Sequence, residues 1–146
     1  MNSRGFARVV GAIFLVVGAL GFVPGLKSPP PLTAPHLAID AGYGFLFGLF
    51  PVNWIHDIVH LGVGFAGWSA SHTMGDARRF ARGLTIFYGV LAVMGIIPAL
   101  RSIFGLTPLF GHNIWLHAGT AALAAYFGFA QRMEAIEIRE RYRRAA

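Results

Sequence analysis

Cysteine is absent from the 146 residues, and charge is scarce, with Asp, Glu, Lys and Arg making up 12% of the chain. Without cysteine there are no disulfides, no thiolate metal sites and no cysteine nucleophile, and the redox compartment stays open. Average soluble domains carry about 25% charged residues. Also missing are a phosphate-binding glycine loop, an HExxH pair and a plausible Ser/His/Asp order. What is present is apolar: 55% hydrophobic residues, 13 Phe and 19 Gly, with a mean hydropathy of +0.60. A soluble domain of this size cannot hide so much apolar surface, because small domains leave a large share of their chain exposed. The composition excludes an ordinary soluble enzyme, a disordered tail and a nucleic-acid module with a Lys/Arg-rich surface.

The gaps between charges carry more information than their number. No Asp, Glu, Lys or Arg occurs from Val9 to Leu26, from Ile58 to Gly75, from Gly83 to Leu100 or from Ser102 to Gln131. A bilayer core needs roughly 17–25 apolar residues per helix, and lipid demands closed backbone hydrogen bonding. A membrane strand would alternate apolar and polar residues, whereas Ala12–Leu20 is apolar throughout. The sequence therefore predicts an all-α membrane protein with four transmembrane helices near Val9–Val23, Trp54–Ala70, Phe80–Ile97 and Ile114–Ala130. Arg4, Arg8, Arg78, Arg79, Arg82, Arg132, Arg139, Arg141, Arg143 and Arg144 fall on one side of these spans; Lys27 and Arg101 fall on the other. By the positive-inside rule both termini are cytoplasmic. The first segment also fits a signal peptide, but the same pattern recurs inside the chain, where no cleavage applies.

That recurrence is an internal duplication. Arg8–Leu26 and Arg82–Leu100 match at Arg8/Arg82, Gly21/Gly95, Pro24/Pro98 and Leu26/Leu100. Further on, GLFPVNWIHDIVHLG from Gly48 aligns with GLTPLFGHNIWLHAG from Gly105, pairing Pro51 with Pro108, His60 with His117 and Gly62 with Gly119. Each unit reads as a helical hairpin, and two hairpins of one orientation are parallel repeats. The expected layout is one four-helix domain over residues 1–146, with repeats at about 8–72 and 82–130 and a helical cytoplasmic tail at 131–146. Glu137–Arg141 and Glu140–Arg144 are favourable i,i+4 pairs in that tail. In the first outer connection, Pro29–Pro31 and Pro35 force extended backbone. The apolar stretch Ala41–Phe50 is too short to span and reads as an interfacial or re-entrant helix. Asn53 and Asn113 stand where they would cap the second and fourth helices.

PVNWIHDIVHLGVG and PLFGHNIWLHAG resemble the bacterial membrane family numbered 4383 among domains of unknown function. The resemblance runs from Arg8 to about Ala130. Pro51, Val52, Asn53, His56 and His60 match its first half; Pro108, Gly111, Trp115, Leu116 and His117 match its second. Phe110 stands where the pattern has Asn, and Asn113 where it has an acid, so two equivalent sites are not implied. The resemblance implies a four-helix membrane fold, with the bacterial inner membrane as its expected home, and brings no activity, substrate or cofactor.

Four of the six histidines, His56, His60, His112 and His117, fall at the outer ends of the second and fourth helices. At about 1.5 Å per residue, His60 lies about 10 Å below Asn53, and His117 at matching depth in the other hairpin. His56 and His60 share one helix face, and Asp57 is near enough in sequence to orient His60. Ionisable groups within spans usually face the bundle interior, which points to a polar pocket. His60 and His117, with His56 auxiliary and Asp57 orienting, are the candidate cofactor-binding residues. Three kinds of occupant follow: haem or chlorophyll, zinc held by His56, Asp57, His60 and His117, or none, the imidazoles bonding within the bundle. No cofactor is the first expectation, with haem the leading candidate if there is one. His36 and His72 read as solvated, and Tyr43, Trp54, Trp68 and Trp115 as interfacial. Glycines 62, 64 and 67 and the alanines of the fourth helix suit close helix packing. Glu134, Glu137 and Glu140 lie outside the spans, so there is no buried carboxylate dyad and no catalytic residue to name.

Function divides into three classes: a structural or accessory protein of a membrane complex, a cofactor or metal carrier, and a small transporter or proton relay. The first is favoured, enzyme activity is not expected, and the partners are the bilayer, a second copy or a larger complex, with no nucleic acid. A short chain without a charged midplane path speaks against transport.

Overall fold

The computed structural model describes residues 1–130 and Arg143; the expected tail helix and its Glu–Arg pairs lie outside the described residues. Four α-helices dominate: α1 (Ser3–Gly21), α2 (Trp54–Ala70), α3 (Met74–Ile96) and α4 (His112–Ala125). A π-helical turn at Tyr126–Ala130 continues α4. The second helix has the expected bounds, α4 begins two residues before its expected start, and α1 and α3 begin before their charge-free runs do. Charge gaps mark apolar length, not helix starts, and capping residues extend the helices beyond them. Asn2 accepts from the Gly5 N–H at 3.0 Å. Thr73 accepts from the Asp76 N–H at 3.0 Å and donates to its carboxylate at 2.6 Å. The Thr73 hydroxyl, with the Arg79 guanidinium, holds the Asp76 carboxyl below the usual carboxylate range.

The stretch expected to be an interfacial helix is instead a small sheet. Strands β1 (Lys27–Ser28), β2 (Gly44–Leu46) and β3 (Phe50–Val52) run antiparallel in the order β1-β2-β3, with Leu46 opposite Phe50 and Gly44 opposite Val52. The turn between β2 and β3 sets Phe47 and Gly48 at φ 54° and 73°, a left-handed conformation that glycine adopts freely and a helix cannot use.

Helix α1 packs mainly on α2, and α3 on α4. The α1–α2 crossing is very close: a Cβ at Gly11 would sit 2.6 Å from the Trp68 nitrogen, and one at Gly64 2.6 Å from the Leu15 nitrogen. Between the pairs lies a core of Phe6, Ala81, Leu84, Tyr88, Ala124 and Phe127, with Phe6 stacked on Phe127 at 4.5 Å. The π turn releases carbonyls from the helical ladder. Ser3 donates to the one at Phe127 (2.9 Å) and Arg82 to the one at Gly128 (2.9 Å). Arg4 donates to the Ser71 carbonyl just past α2. Helices α1 and α3 are long and apolar enough to cross a membrane, with mean hydropathies of 1.6 and 1.3.

Gly64→Ala should destabilise the protein by about 1–3 kcal/mol through overpacking, read as a lower thermal unfolding midpoint. Gly62→Ala, whose Cβ meets nothing within 4 Å, should be neutral or stabilise by up to about 1 kcal/mol. Equal midpoints would contradict this crossing.

Candidate functional site

Asn53 begins the site. Fully buried, it caps α2 by accepting from the His56 N–H at 3.0 Å. Its amide donates to the Ile39 carbonyl at 2.9 Å and the Leu106 carbonyl at 2.8 Å. Asn113 does not cap α4, contrary to its expected role. The N-cap is Gly111, without a side-chain bond, and the Asn113 amide donates to the Pro51 and Pro108 carbonyls at 2.7 and 3.2 Å. The helix starts two residues earlier than the cap assignment needed, which turns Asn113 inward.

One turn below these amides, rings from all four helices meet. His56 and His60 touch edge-on with centroids 4.5 Å apart, and His117 of α4 lies 6.0 Å from His56. Tyr88 of α3 sits 5.2 Å from His117, and Phe14 of α1 lies 5.2 Å from His60 and 5.3 Å from Tyr88. His56, His60, His117 and Tyr88 are 6%, 9%, 3% and 1% exposed. The Nδ1 atoms of all three histidines and the Tyr88 hydroxyl have no hydrogen-bond partner among the described residues. Leaving a buried polar group unmet typically costs about 1–3 kcal/mol, so this concentration requires a chemical reason.

Two apolar cavities, each of about 250 Å³, flank the cluster. One lies on the α2–α3 side, with Val59, Phe87, Leu91 and Thr107 in its lining. The other lies on the α1–α4 side, with Val10, Phe14, Asn113 and Leu116. His56, His60, Tyr88 and His117 line both, so they form a shared partition.

The structure thus brings His56, His60 and His117 together, but not Asp57 or His112. Asp57 is fully buried and points at α1, into the space left by Gly21, where a Cβ would overlap its carboxylate. Neither of its oxygens makes a hydrogen bond among the described residues, so it does not orient His60. His112 is exposed and lies 6.0 Å from the Phe50 ring. Among the described residues no three His, Asp or Glu side chains are arranged to hold one metal ion, so the four-ligand zinc arrangement is not formed. Tyr88 and Thr107 are site residues that spacing alone missed. The available signal for Tyr88 was its hydroxyl inside the third charge-free gap.

Fold and site define a helical protein with a histidine–tyrosine partition between two apolar cavities. The chain belongs to the family described as domain of unknown function DUF4383, which matches residues 4–130. No curated protein and no solved structure matches it.

Asn53→Ala removes a helix cap and leaves two carbonyls without their donor. It should destabilise by about 2–4 kcal/mol, measured by thermal unfolding of the purified protein. A loss below about 0.5 kcal/mol, the range of ordinary surface substitutions, would show that the amide does not hold the site's entrance.

Proposed function

We propose that this chain is a multi-pass protein of the bacterial inner membrane that binds a small apolar ligand against the partition of His56, His60, His117 and Tyr88. All four helices span, as two parallel-repeat hairpins with cytoplasmic termini. The observation that carries the binding reading is the set of buried imidazole Nδ1 atoms and the tyrosine hydroxyl with no hydrogen-bond partner among the described residues, between two cavities. Within lipid a polar group is retained where it meets another polar group, and a ligand supplies one here.

Support for spanning comes from the lengths and from the surface. Helix α2 has 17 residues, at the lower end of the roughly 17–25 a bilayer requires. Helix α4 reaches that range with its π turn. The exposed large side chains include Val16, Phe65, Ile86, Val93 and Leu123, an apolar belt that suits acyl chains. Trp54 and Trp115 are exposed at helix starts and Trp68 near a helix end, as interfacial anchors are. Support for the repeat is that His60 and His117, paired in the internal alignment, flank His56 in one cluster. Lipid accounts for the apolar belt without a protein partner, so binding is favoured over an accessory-subunit role. A macrocycle as wide as haem is disfavoured, since each cavity has only about 250 Å³.

Reporter fusions after Ala146 and within residues 29–34 should lie on opposite sides of the membrane, and a cytoplasmic signal from the loop would overturn the topology. Protein purified from its native membrane should yield, on solvent extraction, one organic compound in stoichiometric amount. His60→Gln and His117→Gln should lose that compound while keeping a folded thermal transition. A Soret band would make the ligand a tetrapyrrole. A folded, ligand-free protein that copurifies with a protein partner would replace this reading with the accessory one.

A further inference from the structure

We infer that the cavity between α2 and α3 is a binding site for a lipid-soluble quinone or quinol, its ring against the histidine–tyrosine partition and its tail in the bilayer. The inference rests on the binding reading above and names the ligand's class. Size comes first. The cavity of about 250 Å³ exceeds the cavity of about 150 Å³ that accepts benzene, so a single substituted ring fits.

Charge comes next. No Asp, Glu, Lys or Arg lines the cavity, and an ion moved into such surroundings pays a large desolvation penalty. The occupant is therefore neutral. Its polar groups are set by the wall. His56, His60, His117, Tyr88 and Thr107 are each more than nine-tenths buried, and each carries a side-chain atom with no partner among the described residues. A neutral imidazole offers one N–H and one lone pair, and a hydroxyl serves as either donor or acceptor. Such a wall meets the accepting oxygens of a quinone and the donating oxygens of a quinol equally well. The entrance decides the rest. Val59, Phe87 and Leu106, which line the cavity, are 38%, 41% and 43% exposed, so the mouth opens through apolar side chains onto the surface that faces lipid. An aliphatic tail leaves there without burying a polar atom.

The second cavity is the weaker candidate. Its Asn113 amide already donates to two carbonyls, and the free Thr107 hydroxyl lines only the α2–α3 side.

The test is equilibrium binding of decylubiquinone to the full chain in lipid nanodiscs, with empty nanodiscs setting the partition baseline. One saturable site per chain is expected. Leu91→Trp, which fills the cavity, should abolish saturable binding, and Val93→Trp, on the lipid-facing surface, should leave it unchanged. Tyr88→Phe and Thr107→Val should each weaken it about three- to tenfold, the range of a neutral buried hydrogen bond. Uptake equal to that of empty nanodiscs, or saturable binding that survives Leu91→Trp, overturns the inference. If decylubiquinone fails while a histidine-dependent compound is still extracted from the native protein, the quinone class falls and the binding reading stands. If neither binds, both fall.

Discussion

Two buried asparagine amides, Asn53 and Asn113, reach from one half of the chain into the other, and the arrangement of the site depends on them. Asn53 precedes α2 and donates to the Leu106 carbonyl in the segment between α3 and α4. Asn113 opens α4 and donates to the Pro51 carbonyl in β3. Each bond takes up a carbonyl that an apolar environment would leave unmet. The crossing ties also hold the N-terminal ends of α2 and α4 against the two connections. His56 and His60 follow Asn53 by one and two helical turns, and His117 follows Asn113 by one. Their convergence is therefore a consequence of how the outer ends are locked.

The close α1–α2 crossing performs the complementary task from the other side. With glycine at 11, 18, 21, 64 and 67, the backbones approach until added Cβ atoms would collide, and that approach turns the opposite face of α2 toward α3 and α4. Asp57 fills the space at Gly21, while His56 and His60 look into the bundle. One helix thus separates a carboxylate from two imidazoles that are its near neighbours in sequence. No Asp, Glu, Lys or Arg side chain therefore lines the histidine cluster, which suits neutral ligands.

The sequence was most legible where a physical requirement was exclusive. Apolar length between charges located all four helices, and Asn53 behind Pro51 marked the start of α2 correctly. The imidazole cluster was legible because histidines at i,i+4 must share a face and because His60 and His117 occupy matching places in two similar stretches of sequence. Ala41–Phe50 was misread because a short apolar run suits a strand as well as a helix. The deciding facts were the left-handed turn at Phe47–Gly48 and the pairing of β2 with β1 and β3. Asp57 was assigned to His60 because spacing reports which residues are near, not where a neighbouring helix leaves a hole. Tyr88 and Thr107 went unnoticed because single hydroxyls in apolar stretches carry no periodic signal.

In the proposed function, the partition of His56, His60, His117 and Tyr88 faces a bound molecule. The most direct measurement is a high-resolution electron cryomicroscopy map of the protein purified from its native membrane. Non-protein density is expected in the α2–α3 cavity within hydrogen-bonding distance of at least two of those four side chains. A collapsed cavity, with the imidazoles and the Tyr88 hydroxyl bonded to one another, would contradict it.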